Sequence, residues 1–238
     1  MSPEQPLVVL HDDADVVAVA KPPGEPVIPA REGNARDCVH RRLERQLGRR
    51  LWIVHRIDRD ASGVVLFACS AEAHRALSLA FEHREVHKSY LAFVVGRLQP
   101  PAGRIDRALH AARKGKTRPA LAGETGGLAA VTEYASERVF ALGEGADEVV
   151  SLVEARPQQG RHHQIRVHLR SLEAPILFDP LYGRGRTPAT LAGAPASRLA
   201  LHACRIDVPA PGGEGRLVVD CALAPDLAAL REWLERVA

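Results

Sequence analysis

The apolar residues of this 238-residue chain fall into short runs that do not take regular turns with helical periods, and this limits the fold more than any other feature. Leu7–Leu10, Val16–Ala20, Leu51–Val54, Gly63–Cys69, Ser89–Val95, Val131–Phe140, Val149–Ala155, Leu199–Val208 and Leu217–Cys221 have the lengths and apolar content of strands. Helical spacing is confined to fewer places. One helix, capped by Asp37, is lined by Val39, Leu43 and Leu47 and ends at Gly48, with arginines on its other side. A second, capped by Ser70, carries Ala73, Ala76, Leu77, Ala80 and Phe81; a last, capped by Asp226, is striped by Leu227, Leu230, Leu234 and Val237. Strands that outnumber helices without alternating with them predict an α+β fold, a mixed, largely antiparallel sheet flanked by helices, rather than a doubly wound one. Residues 1–238 read as a single domain with no separate N-terminal domain. Lys21 to Gly24 forms a turn, and residues 122–128, 143–146 and 183–198 read as loops.

A content of 46% hydrophobic and 26% charged residues excludes a disordered chain. No run of about 18 apolar residues suits a membrane span, and Met1 to Pro6 lacks the pattern of a secretory signal, so a cytoplasmic, membrane-free protein is expected. Cys38, Cys69, Cys204 and Cys221 are scattered without CxxC pairing, which argues against a zinc site or a disulfide framework. A monomer is expected. The net charge of +3 says little, but its distribution says more. Between residues 31 and 59, Arg31, Arg36, Arg41, Arg42, Arg45, Arg49, Arg50, Arg56 and Arg59 face only Glu32, Asp37, Glu44 and Asp58. A second basic stretch runs from Arg104 to Arg118 through Arg107, Arg113, Lys114 and Lys116, opposed by Asp106. Either stretch suits a phosphate backbone; a solvated helix face and a loop are the plainer alternative.

Three segments could carry chemistry. His55-Arg56-Ile57-Asp58-Arg59-Asp60-Ala61-Ser62-Gly63 sets a carboxylate between two guanidinium groups in a loop between two buried strands. That setting suits a nucleophile or an electrostatic stabiliser better than a general acid, and an extended backbone turns Arg56 and Asp58 to one side. Taken alone, such a cluster reads as a solvated ion pair. Gly160-Arg161-His162-His163-Gln164-Ile165-Arg166-Val167-His168-Leu169 fits a helix through Ile165, Leu169 and Leu172, and also fits a strand by alternation. Its three histidines lack an acid or cysteine at ligand spacing, so no metal is assigned; they read as RNA-facing or hydrogen-bonded structural groups. Lys88-Ser89-Tyr90-Leu91-Ala92-Phe93-Val94-Val95-Gly96 reads as a strand with Tyr90, Ala92 and Val94 on one face. With five Phe, three Tyr and two Trp, the chain has no aromatic ladder of the single-strand-binding kind.

These segments, in this order, resemble the RluA-like family of RNA pseudouridine synthases, whose hallmark is a His-Arg-Leu-Asp-x-x-Thr-Ser-Gly-like stretch matched at His55 to Gly63. The Lys-x-Tyr-x-Ala-x-Val-x-Gly pattern matches Lys88 to Gly96, and Gly-Arg-Thr-His-Gln-Ile-Arg-Val-His-Leu matches Gly160 to Leu169. The Lys-Pro-x-Gly turn at Lys21, Asp179 to Gly183, and Arg198 to Ala203 agree as well, so the likeness spans roughly residues 7 to 222. The resemblance implies that Asp58 is the catalytic nucleophile, that Tyr90 packs on the target base, that Arg166 pairs with Asp58 and that Arg56 holds the base out of its stack. It implies a cofactor-free, metal-free isomerisation of uridine in a ribosomal or transfer RNA stem-loop. Arg41, Arg42, Arg45, Arg49, Lys114, Lys116 and His162 are then candidate RNA contacts.

The chain departs from the family pattern at Ala61, where threonine is common, and at His162, which replaces a small hydroxyl residue. It departs again at Leu128 to Ala130, where a lysine is frequent. The competing readings are an RNA-binding module without turnover and a hydrolase built on Asp58 and Asp60.

Overall fold

The computed structural model describes residues 5–29, 38–121, 123–143, 148–183 and 185–238. In chain order the strands and helices are β1 (Val8–Asp12), β2 (Val16–Lys21), α1 (Val39–Leu47), β3 (Trp52–Ile53), β4 (Ser62–Ala68), α2 (Ala71–Glu82), β5 (His87–Val95) and β6 (Ala102–Asp106). There follow β7 (Leu109–Ala111), β8 (Thr117–Pro119), β9 (Val131–Ala141), β10 (Val149–Pro157), α3 (Gln164–Arg170), β11 (Leu201–Pro209), β12 (Arg216–Asp220) and α4 (Pro225–Val237). The α+β class and the largely antiparallel sheet are as the sequence predicts.

Two compact units emerge, one of residues 1–87 and 203–222, the other of 88–202 and 223–238. In the first, the strand order is β1-β2-β4-β11-β12, with β3 on the far end of β4. Strand β4 is buried along all seven residues, which is why its sequence is a continuous apolar run instead of an alternating one. Helix α2 starts where Ser70 accepts the Ala73 N–H at 3.0 Å, and it turns Ala73, Leu77 and Ala80 inward. Helix α1 ends at Gly48, whose φ of 66° is the left-handed conformation that a residue without Cβ adopts freely.

The cap expected for α1 differs. Asp37 lies outside the described residues, and the N-cap is Cys38, which makes no side-chain bond. The first N–H groups of α1 are satisfied by backbone instead, Val39 donating to Pro26 O and His40 to Val27 O.

In the second unit the strand order is β5-β10-β9-β6, with β7 and β8 as a separate hairpin. Helix α4 opens one residue before the expected cap. Pro225 takes the first helical position, where a missing N–H costs nothing, and Asp226 is drawn instead into a bidentate pair with Arg198 at 2.7 and 2.8 Å. Leu227, Leu230 and Leu234 are fully buried, but Val237 is 46% exposed and leaves the stripe. Helix α3 decides the ambiguity of Gly160 to Leu169 in favour of a helix. It ends at Arg170, so Leu172 lies beyond it and is exposed. The basic stretch 104–118, read from sequence as a charged surface or loop, holds β6, β7 and β8. No described helix is long and apolar enough to cross a membrane.

Candidate active site

The segment joining β3 to β4 carries Asp58, and its backbone is fixed from several directions. His55 Nε2 accepts the Leu66 N–H at 2.9 Å while its ring stacks on Phe81 at 5.1 Å. Because a backbone N–H can only donate, that ring nitrogen is unprotonated. Ile57 is buried between the exposed Arg56 and the half-buried Asp58, the alternation of an extended backbone. Ala61 donates to Asp58 O at 3.2 Å and is itself buried, as is Ser62.

Gly63 closes the segment with φ 120°, and a Cβ there would lie 2.2 Å from Ala203 O, so no other residue fits without moving backbone.

Lys21 is the strongest fixing. It is 1% exposed, and its ammonium donates to the carbonyls of Pro22, Glu25 and Arg59 at 2.6, 2.8 and 2.9 Å. Gly24 N–H also donates to Arg59 O, and Arg59 Nε returns a bond to Gly24 O. The turn after β2 and the residue next to Asp58 are thereby one hydrogen-bonded unit. Lys21→Met would leave these carbonyls without their cation, and the expected result is a loss of about 2–4 kcal/mol in unfolding free energy, read by denaturant titration.

In the second unit, α3 is enclosed: Gln164 through Leu169 are all buried, so each polar member needs a partner. Gln164 Nε2 donates to Val131 O and Thr132 Oγ1, and its Oε1 accepts the Arg161 N–H. His168 bonds Thr132 Oγ1 and Arg107 O; burial pushes its pKa down, so it is neutral and structural.

Arg166 binds Asp179 through Nε and Nη2, both at 2.7 Å, with the two side chains 3% and 0% exposed. Burial raises the Asp179 carboxyl, but the Arg166 bonds and charge and the N–H groups of Leu181 and Tyr182 outweigh it, and its pKa is lowered. The Arg166 guanidinium also lies 5.0 Å from the centroid of the Tyr182 ring. Tyr182 OH accepts the Thr117 N–H and bonds His163 Nδ1, both at 2.8 Å, which fastens the β7–β8 hairpin beside α3. His162 is exposed, stacks on His163 at 3.6 Å and bonds Thr117 Oγ1.

Tyr90 and Lys88 lie on the outer half of β5, where burial is partial, while Ala92 and Val94 of the same face are fully buried. Tyr90 sits in register with Ala155 of β10.

The sequence model of the family described as RNA pseudouridylate synthase matches residues 15–171, well over half of the chain. The tRNA pseudouridine synthase C of Pasteurella multocida is 33% identical over 239 residues, covering 97% of this chain and 95% of that protein. The dual-specificity RNA pseudouridine synthase RluA of Escherichia coli K12 is 35% identical over 210 residues, 88% of this chain and 90% of that one. The chain belongs to the RluA-like family of RNA pseudouridine synthases. Its fold agrees: the structure of human RNA pseudouridylate synthase domain containing 4 superposes with a TM-score of 0.73 at 26% identity, covering 96% of this chain and 93% of that one.

For a pseudouridine synthase, the structure sorts the residues singled out from sequence. Asp58 and Arg56 share one loop of the first unit, and Tyr90 and Arg166 belong to the second. Of the arginines in and just after α1, Arg41 is exposed beside Glu44, Arg42 is turned to Glu25 and Gln5 O, Arg45 is exposed, and Arg49 pairs with Asp12. Lys116 is half-buried in the hairpin, and the side chain of Lys114 lies outside what is described.

Sequence reasoning gave no role to Lys21 or Asp179, although both stand in segments that carry the family likeness. A lysine inside a turn and an aspartate thirteen residues after an arginine have no local signature; only the fold makes them partners.

Lys88 has a pH signature. Burial of its ammonium pushes the pKa down to about 8 from an ordinary 10.5. Between those values the folded protein has released a proton that the unfolded chain still holds, so stability rises with pH across that window. Lys88→Met is expected to remove the rise, worth up to about 3 kcal/mol, in urea titrations compared at pH 7.5 and 10.

Proposed function

We propose that Asp58 is the nucleophile of this synthase and that it acts on a uridine flipped out of an unpaired loop in ribosomal or transfer RNA. The observation that carries the reading is the fixing of the loop 54–61, in which His55 accepts the Leu66 N–H, Arg59 O is held by Lys21 and Gly24, and Ile57 and Ala61 are buried, while Arg56 is exposed and Asp58 half-buried between them.

The reaction needs such a group. The bond from ribose C1′ to uracil N1 breaks, the base turns, and a new bond forms from C1′ to C5; N1 takes up a proton and C5 loses one. An anionic carboxylate meets the electron-poor sugar while the base is detached, with no change of oxidation state and no cofactor. In this reading Asp58 pairs with Arg166, whose guanidinium Asp179 orients, Tyr90 packs on the detached base, and Arg56 keeps the nucleotide out of its stack. An unpaired uridine lowers the cost of flipping, which favours loops over helices. The relative named for tRNA supports the transfer-RNA class, and the one named for dual specificity supports action on more than one kind of RNA.

Transcripts of transfer RNA and of ribosomal RNA fragments, tritiated at uracil C5, test the proposal. Wild-type protein is expected to release tritium to water from one of them without releasing free uracil. Tritium leaving the RNA as free labelled uracil, with none released to water, would show hydrolysis and overturn it.

A further inference from the structure

The exposed end of α1 forms an open hollow lined by Arg41, Glu44, Arg45, Gly48, Arg49 and Arg50, four guanidinium groups to one carboxylate. That carboxylate is turned inward: Glu44 Oε1 accepts the Leu51 N–H at 3.0 Å and Oε2 binds Arg41 at 2.8 Å. Arg49 is held at the rim by Asp12, yet its Nε is buried with no hydrogen-bond partner among the described residues. Arg50 lies 5.0 Å from the centroid of the Trp52 ring, a contact that fixes the guanidinium plane without using its N–H groups. Arg41 and Arg45 stand one helical turn apart, about 6 Å along the axis. Arg42, the remaining arginine of this face in sequence, is committed to Glu25 and Gln5 O and takes no part.

We infer that this hollow is a docking site for the RNA phosphate backbone, separate from the loop that carries Asp58. Its ligand is an extended polyanion and not a small enclosed one, because the guanidinium groups line an open surface and act one by one along it. The placement fits a flanking contact. Trp52 pairs with Ala68 at the end of β4, whereas the Asp58 loop enters β4 at Ser62, so about 20 Å of strand separates them. That is a span several nucleotides on either side of a reacting uridine would cover. The inference rests on RNA being the substrate, but binding here does not depend on turnover at Asp58.

The experiment is equilibrium binding of the intact protein to bulk transfer RNA between 50 and 200 mM salt, for wild type, Arg45→Gln, Arg50→Gln and the double variant. Arg205→Gln, a charge loss at the exposed β11–β12 pair, is the control. Each substitution in the hollow is expected to weaken binding several-fold and to lower the slope of log Kd against log salt by about 1, with the double variant close to the sum. Arg205→Gln should leave the slope unchanged. Slopes and affinities equal to wild type in variants that melt normally would overturn the inference. If Arg50→Gln melts early because Trp52 loses its contact, Arg41→Gln with Arg45→Gln gives the same readout. Loss of slope in a protein that makes no pseudouridine would sink the catalytic proposal and leave this one standing.

Discussion

Asp58→Asn is expected to abolish pseudouridine formation, lowering the single-turnover rate by about 10⁴-fold or more, while the protein still folds and still binds RNA. The substitution keeps the size of the side chain and removes its charge. The backbone around it is held by other groups: His55 by Leu66 N–H, Arg59 by Lys21 and Gly24, and Ala61 by burial and its bond to Asp58 O. The loop backbone therefore has supports other than the Asp58 carboxylate, whereas in the proposed reaction chemistry at the sugar rests on that carboxylate. A 10⁴-fold loss corresponds to about 5.5 kcal/mol of barrier, far more than a displaced loop with an intact nucleophile should lose. RNA affinity is set mainly by phosphate contacts and should change little. Rapid-quench measurement of tritium release at saturating RNA checks the rate, and a thermal melt checks the fold.

Asp179→Ala is expected to cost about 3–5 kcal/mol of stability, because it removes the buried carboxylate that binds the Arg166 guanidinium through two hydrogen bonds. The same change strips the acceptor from the N–H groups of Leu181 and Tyr182, which both bond Asp179 Oδ1. At two to four degrees per kcal/mol for a chain of this size, the melting temperature should fall by roughly 6–20 °C. The loss has a pH signature. The folded Asp179 has a lowered pKa, so its contribution is fully present above the ordinary carboxylate range and fades as pH falls through the lowered value. The gap between wild type and variant should therefore narrow in acid. Turnover should fall as well, since a guanidinium without Asp179 loses its fixed orientation. Calorimetry from pH 7 down to 3 measures the gap directly.

How far the sequence reaches can be judged from particular residues. Ser70 and Gly48 announce the start of α2 and the end of α1 because each acts through a local hydrogen bond or a local backbone conformation. The loop carrying Asp58 is legible because two apolar runs bracket a polar segment. Long-range satisfaction is not legible. The start of α1 is capped by the carbonyls of Pro26 and Val27, and the carboxylate of Asp226 goes to Arg198 twenty-eight positions away. Strands β6, β7 and β8 are only three to five residues long, so period-two alternation is too brief to read beside the arginines and lysines around them, which suggest a solvated surface. The helix α3 hides for the opposite reason: it is buried on every side, and its polar residues Gln164, Arg166 and His168 face protein partners and not solvent. A histidine cluster that could have been taken for metal ligands is distributed over Thr132, Thr117, Tyr182 and the Arg107 carbonyl.

The most direct test of the central claim is to incubate total RNA from cells lacking this protein with the wild-type chain and to map pseudouridine by chemical probing. The account predicts pseudouridine at one or a few defined, unpaired uridines, and none with Asp58→Asn. Unchanged RNA after incubation with folded, RNA-binding wild-type protein would contradict it and leave a binding module in place of an enzyme.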